Sequence, residues 1–368
     1  MNFFEIVHSC IYADVTFAIY REENQDEIIL IIDENGGEKI KFEDLKKESK
    51  GFVMHPFDRD SSNPIWFINP SFIVRSSQKE FSKELIEFIN SLGKRKRCAT
   101  CITNDISNKE YISTLKLIVE YIKYSDLDKV VYARTKSIDG KGEKDIIDIF
   151  KNLHNQYHNA FVFFVNIHNE IAWIGASPET LLSNRNNQLY TVALAGTQYV
   201  GDRTLNEIKW TNKELVEQEY VRNYIDKKLK SYNHSISKTE TVLAGNICHL
   251  RNEIFIDADI SDFWDIVNTL HPTPAICGFP NKLAKEAISL YEDFDREYYA
   301  GFLGMYNILG KTQMKVNLRS AQVYSYKIRL YVGGGITCDS IPESEWDETE
   351  YKAETLKKVL IDEKSIIG

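Results

Sequence analysis

The spacing of apolar positions changes character along the chain. Over about the first hundred residues the apolar runs are short, Thr16 to Tyr20 and Ile28 to Ile32, and the turn Asp33-Glu34-Asn35-Gly36-Gly37 follows the second. Runs of that length bounded by Gly, Asn and Asp predict strands and tight turns. A helical period first emerges near Lys79 to Leu92, and the Ser/Lys/Arg-rich stretch from Ser91 to Cys101 reads as a linker or long loop. Beyond it, Ser107-Asn108-Lys109-Glu110 spells a capping box, and Leu115, Ile118, Val119 and Ile122 fall on one helical face.

From Lys129 onward strand patterns dominate: Lys129 to Arg134, Phe161 to Ile167, Ile171 to Ile174, Gln188 to Ala193, Lys315 to Val323 and Lys327 to Val332. Helical patterns interrupt them at about Asn212 to Lys230 and Asn281 to Leu290. A last helix runs from Pro342 to the end, behind a second capping-box spelling at Ser340 and Glu343. There is no repeat and no low-complexity tract. This mixture predicts an α+β fold of large, mostly antiparallel sheets flanked by helices.

Composition narrows the classes of partner. Hydrophobic residues at 43% and aromatics at 12% suffice for a sizeable core, and a formal charge of −9 argues against nucleic acid or an acidic membrane as the general partner. A local cationic pocket for a small anion stays open. Six scattered cysteines and no cationic apolar leader predict reduced thiols in the cytoplasm. The close pair Cys98 and Cys101 lacks a second ligand pair and reads as incidental. No apolar run approaches membrane-spanning length.

Several stretches could carry chemistry. In Glu345-Trp346-Asp347-Glu348-Thr349-Glu350-Tyr351-Lys352, helical spacing puts Glu345, Glu348 and Lys352 on one face, with Asp347 and Glu350 pointing away as ordinary solvated acids. The triplet Gly333-Gly334-Gly335 precedes that helix, where backbone can approach an anion closely. Glu214 and Glu217 form a second acidic face at the same spacing; two such faces could hold a Mg²⁺ ion or be unrelated and solvated. Glu179, after Gly175-Ala176-Ser177-Pro178, either opens a helix or is a carboxylic acid displayed from a rigid turn. Lys129 is either solvated or a buried lysine able to act as a base. His271 lies in the rigid run His271-Pro272-Thr273-Pro274, and Arg319 on a strand is either solvated or aimed at a carboxylate. His154 and His158 stand four apart and read as a helix face, with no third ligand in view.

Taken in order, Lys129, the Gly-Ala-Ser-Pro-Glu179 turn, Ala195-Gly196-Thr197, the acidic helix, His271-Pro-Thr-Pro-Ala275, Phe294-Asp295-Arg296, Leu318-Arg319-Ser320-Ala321, the glycine triplet and the Glu345 to Lys352 stretch resemble the chorismate-utilising enzymes. Within them the chain looks most like the isochorismate synthases. The motifs run from about Lys129 to Lys352. Residues 101–368 are then expected to form the chorismate-binding catalytic core, and residues 1–100 a divergent part of the same domain, with the site between sheet and helices. The resemblance implies addition of water at C2 of chorismate and loss of its 4-hydroxyl. It makes Lys129 the base, Glu179 the acid, and Glu217 and Glu348 ligands of Mg²⁺, with Glu214 and Glu345 nearby. Arg319, Lys352, Gly196, Gly333 and Ala275 would hold the substrate's anionic groups, and His271 and Thr197 would line the cavity.

Relatives that install nitrogen at C2 lack the lysine found here at Lys129, and relatives that aminate C4 carry a lysine where this chain has Ala195. No glutaminase module with a Cys/His arrangement is visible. Salicylate synthases share both the lysine and the acid, and a catalytically silent chorismate-binding protein is the rival of another class. Departures from the family pattern are Glu214 and Gln218, where Asp and His are usual, Gly334 for Ala, and Ile341 for an acid. The expected protein is a cytoplasmic, monomeric enzyme of small-molecule metabolism whose product feeds menaquinone or a siderophore.

Overall fold

Side chains on a strand alternate between two faces, so a strand covered on both sides reads as one apolar run. All six residues of Thr16–Arg21 are buried in the computed structural model. Ala18 and Tyr20 face one core; Phe17 and Ile19 face another. The model describes residues 1–95, 105–142, 145–185, 188–201, 203–244 and 247–360; the Cys98/Cys101 pair lies outside them.

The described strands form a nine-stranded and a ten-stranded sheet, with antiparallel pairing throughout. The expected α+β class with large antiparallel sheets is therefore borne out. Tyr20, Phe52, Phe67, Phe163, Trp173 and Met305 belong to a core fed by both sheets. The other face of the nine-stranded sheet is covered by the helices Phe3–Tyr12, Lys83–Ser91 and Ile146–Gln156 and by the end of Pro342–Leu360. Each fully buried large side chain contributes roughly 1.5–3 kcal/mol, so both layers are driven mainly by apolar burial. N-terminal strands enter both sheets: Thr16–Arg21 pairs with Phe161–Ile167, and Gly51–His55 with Phe302–Ile308.

Local signals set several boundaries. Asn108–Lys123 starts at Ser107 with both capping-box bonds formed, and Phe161–Ile167 has the expected limits. The helix expected from Lys79 begins at Lys83, because the Ser82 hydroxyl accepts the Leu85 amide. The apolar pattern does not reveal the helices Phe3–Tyr12 and Phe263–Leu270; the first is apolar around most of its circumference, which hides the helical period. The helix face expected from His154 and His158 exists in Ile146–Gln156, but it ends before His158.

The expected strand Lys315 to Val323 is two strands in different sheets. Lys311–Val316 belongs to the ten-stranded sheet and Ser320–Val323 to the nine-stranded one. Arg319 turns the chain between them with φ of 47°, a left-handed conformation that side chains rarely adopt. A second crossing lies beside it. Ile171–Ser177 is in the nine-stranded sheet and Thr180–Arg185 in the ten-stranded one, so Pro178 and Glu179 also bridge the sheets. The crossings are stitched together by Val316 N donating to Glu179 O at 3.0 Å and Ala176 N donating to Arg319 O at 3.1 Å.

The helix Pro342–Leu360 is docked by a cation. The Arg134 guanidinium lies 4.0 Å from the Trp346 ring centroid, its Nε donates to Thr349 Oγ1 at 2.9 Å, and it pairs with Glu350. Glu350 also accepts from Lys136 Nζ at 2.6 Å. Partial burial works against the Glu350 charge, but the bonds and charges of Lys136 and Arg134 hold its carboxyl below the ordinary value. Glu350 is thus an anchor, contrary to its expected role as a solvated acid; Asp347 is exposed as expected. Replacing Arg134 with Leu leaves that acid with Lys136 as its remaining cation and removes the hydrogen bond to Thr349. We expect a loss of about 2–3 kcal/mol, less than for a fully buried pair because Glu350 is 30% exposed. Denaturant unfolding of Arg134→Leu measures it, with Asp347→Ala as a near-neutral control.

Candidate active site

The strand Lys327–Ile336 ends in the glycine triplet and pairs with Lys129–Asp139, bringing Gly335 opposite Val131 and Gly333 opposite Ala133. The chain then returns over this edge as the helix Pro342–Leu360, while Asn212–Lys228 packs on Gln188–Tyr199. Gly335 is needed because a carboxylate and a lysine crowd it, and two further carboxylates lie over Gly334. A Cβ at Gly335 would stand 2.4 Å from Glu217 Oε1 and 2.9 Å from Lys129 Cε. A Cβ at Gly334 would stand 3.3 Å from Glu345 Oε2 and 3.7 Å from Glu348 Oε1. Acids from two helices thus converge on one glycine floor.

Each of these acids has its own lysine. Lys129 Nζ lies 2.9 Å from Glu217 Oε1, Lys213 Nζ 2.5 Å from Glu345 Oε1, and Lys352 Nζ 2.7 Å from Glu348 Oε1. Lys129 is wholly buried behind Glu217, and Lys352 also donates to Gly333 O at 2.9 Å. Burial alone would raise the Glu217 carboxyl, but Lys129 and Lys213 more than offset this and hold it below the ordinary value. Glu345 goes the other way: burial and the neighbouring Glu348 push it up despite Lys213. With the acids drawn to separate lysines, no group of three or more His, Cys, Asp or Glu side chains is gathered for a metal among the described residues.

Glu214 is not in this cluster. Its carboxylate accepts the Thr211 amide at 2.9 Å and the Thr211 hydroxyl, closing the capping box of its own helix. Gln218 is buried, with Nε2 donating at 2.9 Å to Ala193 O and to Asn252 Oδ1, so it braces the helix against the sheet.

A cavity opens on the inner side of the cluster. Glu179, Gly196, Thr197, Glu217, Arg319 and Lys352 line it, with Ala275 and Gly333. Gly196 has φ of 66°, and a Cβ there would meet Glu214 Cβ at 3.1 Å. A second cavity, on the outer side, is lined by Glu214, Glu345, Glu348 and Lys213; Thr197 borders both. His271 is elsewhere. Its Nε2 lies 3.1 Å from Phe57 O and its ring packs on Phe302 with centroids 5.1 Å apart, because the proline-rich loop turns it into the core.

Glu179 is the inner cavity's unusual acid. It is 4% exposed, and burial lifts its carboxyl to about 8 although Lys129, Arg319 and Lys352 pull the other way. Beside it is a residue the sequence reading missed, His249 on Ile247–Asp257. Its Nδ1 is 2.9 Å from Gly196 O and its Nε2 2.9 Å from an Arg319 nitrogen. A carbonyl only accepts and a guanidinium only donates, so the proton is assigned to Nδ1. Burial, with Arg319 and Lys352, holds this imidazole neutral by lowering it to about 3. Lys213 was missed as well, and neither residue carries a local signal: one is a lone histidine in a strand, the other a lysine in the first turn of an acidic helix.

A protein-family model described as "Chorismate binding enzyme" matches residues 68–361. The vibriobactin-specific isochorismate synthase of Vibrio cholerae is 28% identical over 324 residues, 83% of this chain and 78% of that protein. The isochorismate synthase MenF of Escherichia coli is 29% identical over 256 residues, 67% of this chain and 59% of MenF. In three dimensions the menaquinone-specific isochorismate synthase MenF from Escherichia coli matches with a TM-score of 0.80 at 23% identity, covering 96% of this chain and 91% of that one. The chain belongs to the chorismate-binding enzyme family.

Two outcomes follow from the geometry. The Glu179 carboxyl should show a protonated C=O stretch by difference infrared at neutral pH, disappearing as pH rises through about 8 and absent in Glu179→Gln. Gly335→Ala should cost about 1–3 kcal/mol in denaturant unfolding, since its methyl must displace the Lys129/Glu217 pair.

Proposed function

We propose that this chorismate-binding enzyme is an isochorismate synthase that adds water at C2 of chorismate and expels the 4-hydroxyl. The observation that carries the reading is Glu179, a carboxyl raised to about 8 on the wall of a cavity whose other ionic walls include Arg319 and Lys352. An acid protonated at neutral pH is the group needed to turn a departing hydroxide into water, and two fixed cations suit a dicarboxylate.

In this reading Arg319 and Lys352 receive the substrate's carboxylates, and the neutral His249 holds the Arg319 fork in place. Lys129, in the fraction that has first released its ammonium proton to solvent, takes a proton from the attacking water as its oxygen bonds to C2. The ring double bond shifts, the C4–O bond breaks, and Glu179 passes its proton to the leaving oxygen. One water enters and one leaves, and the proton gained by Lys129 equals the one lost by Glu179. Ala195 lines the cavity with a methyl group, so no nucleophilic side chain competes with water from that position.

The residues also fit a divalent cation, which we assign as Mg²⁺. Glu345 Oε2 has no donor at hydrogen-bonding geometry, and it faces the same glycines as Glu348 and Glu217. Glu217 and Glu348 would ligate the ion, with Glu345 beside them; Glu214 stays with Thr211. When bound, the cation supplies positive charge for the ring carboxylate. No described helix is long and apolar enough to cross a membrane. Menaquinone and siderophore formation are the destinations that the relatives' names suggest for the product.

Incubation with chorismate and Mg²⁺ should yield isochorismate with no stoichiometric pyruvate. Pyruvate released without an added lyase would instead mark a salicylate synthase, and binding without conversion a silent protein. Lys129→Ala and Glu179→Gln should each lower kcat at least about 10²-fold while chorismate binding persists. Above pH of about 8, kcat should fall about tenfold per pH unit as Glu179 loses its proton.

A further inference from the structure

The three lysines of the acidic cluster are not equivalent. Lys129 is fully buried, and Lys352 is tied to the Gly333 carbonyl as well as to Glu348. Lys213 stands in the first turn of Asn212–Lys228, its side chain is 22% exposed, and its ammonium reaches inward to Glu345. Glu348 and Glu217 also act on that ammonium. It therefore sits in the field of the three acids that would serve a divalent ion.

We infer that Lys213 is a tethered cation that neutralises the acidic cluster in the metal-free protein and is displaced outward when a divalent ion binds. This rests on the reading of Glu217, Glu345 and Glu348 as a metal site. Three carboxylates facing one glycine floor repel one another; Lys129 and Lys352 answer Glu217 and Glu348, and the Lys213 ammonium relieves what is left at the buried Glu345. The same ammonium opposes an incoming ion, so metal uptake is an exchange. Lys213 has room to leave. It borders the outer cavity with Glu345 and Glu348, and another with Thr337 and Cys338; Asp339 lines both and offers an outer carboxylate. The exchange releases Glu345 Oε1 to the ion and makes metal affinity the difference between two cations competing for one acid.

The test uses the full chain without chorismate, with Mg²⁺ by calorimetry and Mn²⁺ by electron paramagnetic resonance. Lys213→Met should bind either ion about tenfold more tightly than the parent, since it removes a competing charge at a part-buried site. Its melting temperature should be lower without metal and rise more on metal addition. Lys213→Gln serves where the methionine variant does not fold. In the unaltered protein, amine labelling mapped by mass spectrometry should report severalfold greater Lys213 reactivity once Mn²⁺ is added. Unchanged or weaker affinity in a folded variant, or unchanged Lys213 reactivity on metal saturation, overturns the inference and leaves the metal site standing. If the unaltered protein and both variants take up no metal, the metal-site reading falls and this inference with it.

Discussion

Carboxylates cannot be taken out of water side by side without compensation. Glu217, Glu345 and Glu348 converge on Gly334 and Gly335, and the cost is offset by Lys129, Lys213 and Lys352 at 2.5–2.9 Å. Much of the site's architecture answers to this constraint. At Gly335 the floor must be glycine because Glu217 and Lys129 occupy the space of a Cβ, whereas Gly334 leaves its two carboxylates at 3.3 and 3.7 Å. The acids must come from helices rather than loops, since spacing of three residues on a helix fixes both members of a pair on one face.

The constraint extends to the scaffold. Three of these charged groups ride on one helix, so its docking sets where they stand, and that docking is itself ionic. Arg134 lies between Trp346, Thr349 and Glu350, while the adjoining face of the helix bears Glu345, Glu348 and Lys352. Gln218 plays a comparable part for the second helix, holding Glu217's neighbour against the sheet.

The acid of the cavity is prepared differently, by topology. Two neighbouring segments leave one sheet for the other at the same level, and Glu179 and Arg319 are the residues at those crossings. The crossings bury the carboxyl, lift it to about 8, and set a guanidinium nearby that His249 keeps oriented. One site thus holds one acid protonated and another, Glu217, ionised, because the first faces mainly burial and the second has lysines within reach.

Much of this was legible locally. Helix spacing identified the Glu214/Glu217 and Glu345/Glu348/Lys352 faces, capping boxes fixed helix starts, and the order of motifs identified the family before any contact was known. Side-chain neighbours outside a helix were not legible, because they are set by pairings across hundreds of residues. Arg319 looked like a mid-strand residue until the sheets showed a crossing there, and Glu350 looked solvated until Arg134 was found beneath it. His271 turned inward to the core, and Glu214 spent its carboxylate on its own helix, a choice between local and distant partners that spacing cannot express. Sequence determined which chemical groups exist and which share a helical face; tertiary structure decided which are buried, and burial together with the nearest opposite charge decides whether an acid keeps its proton.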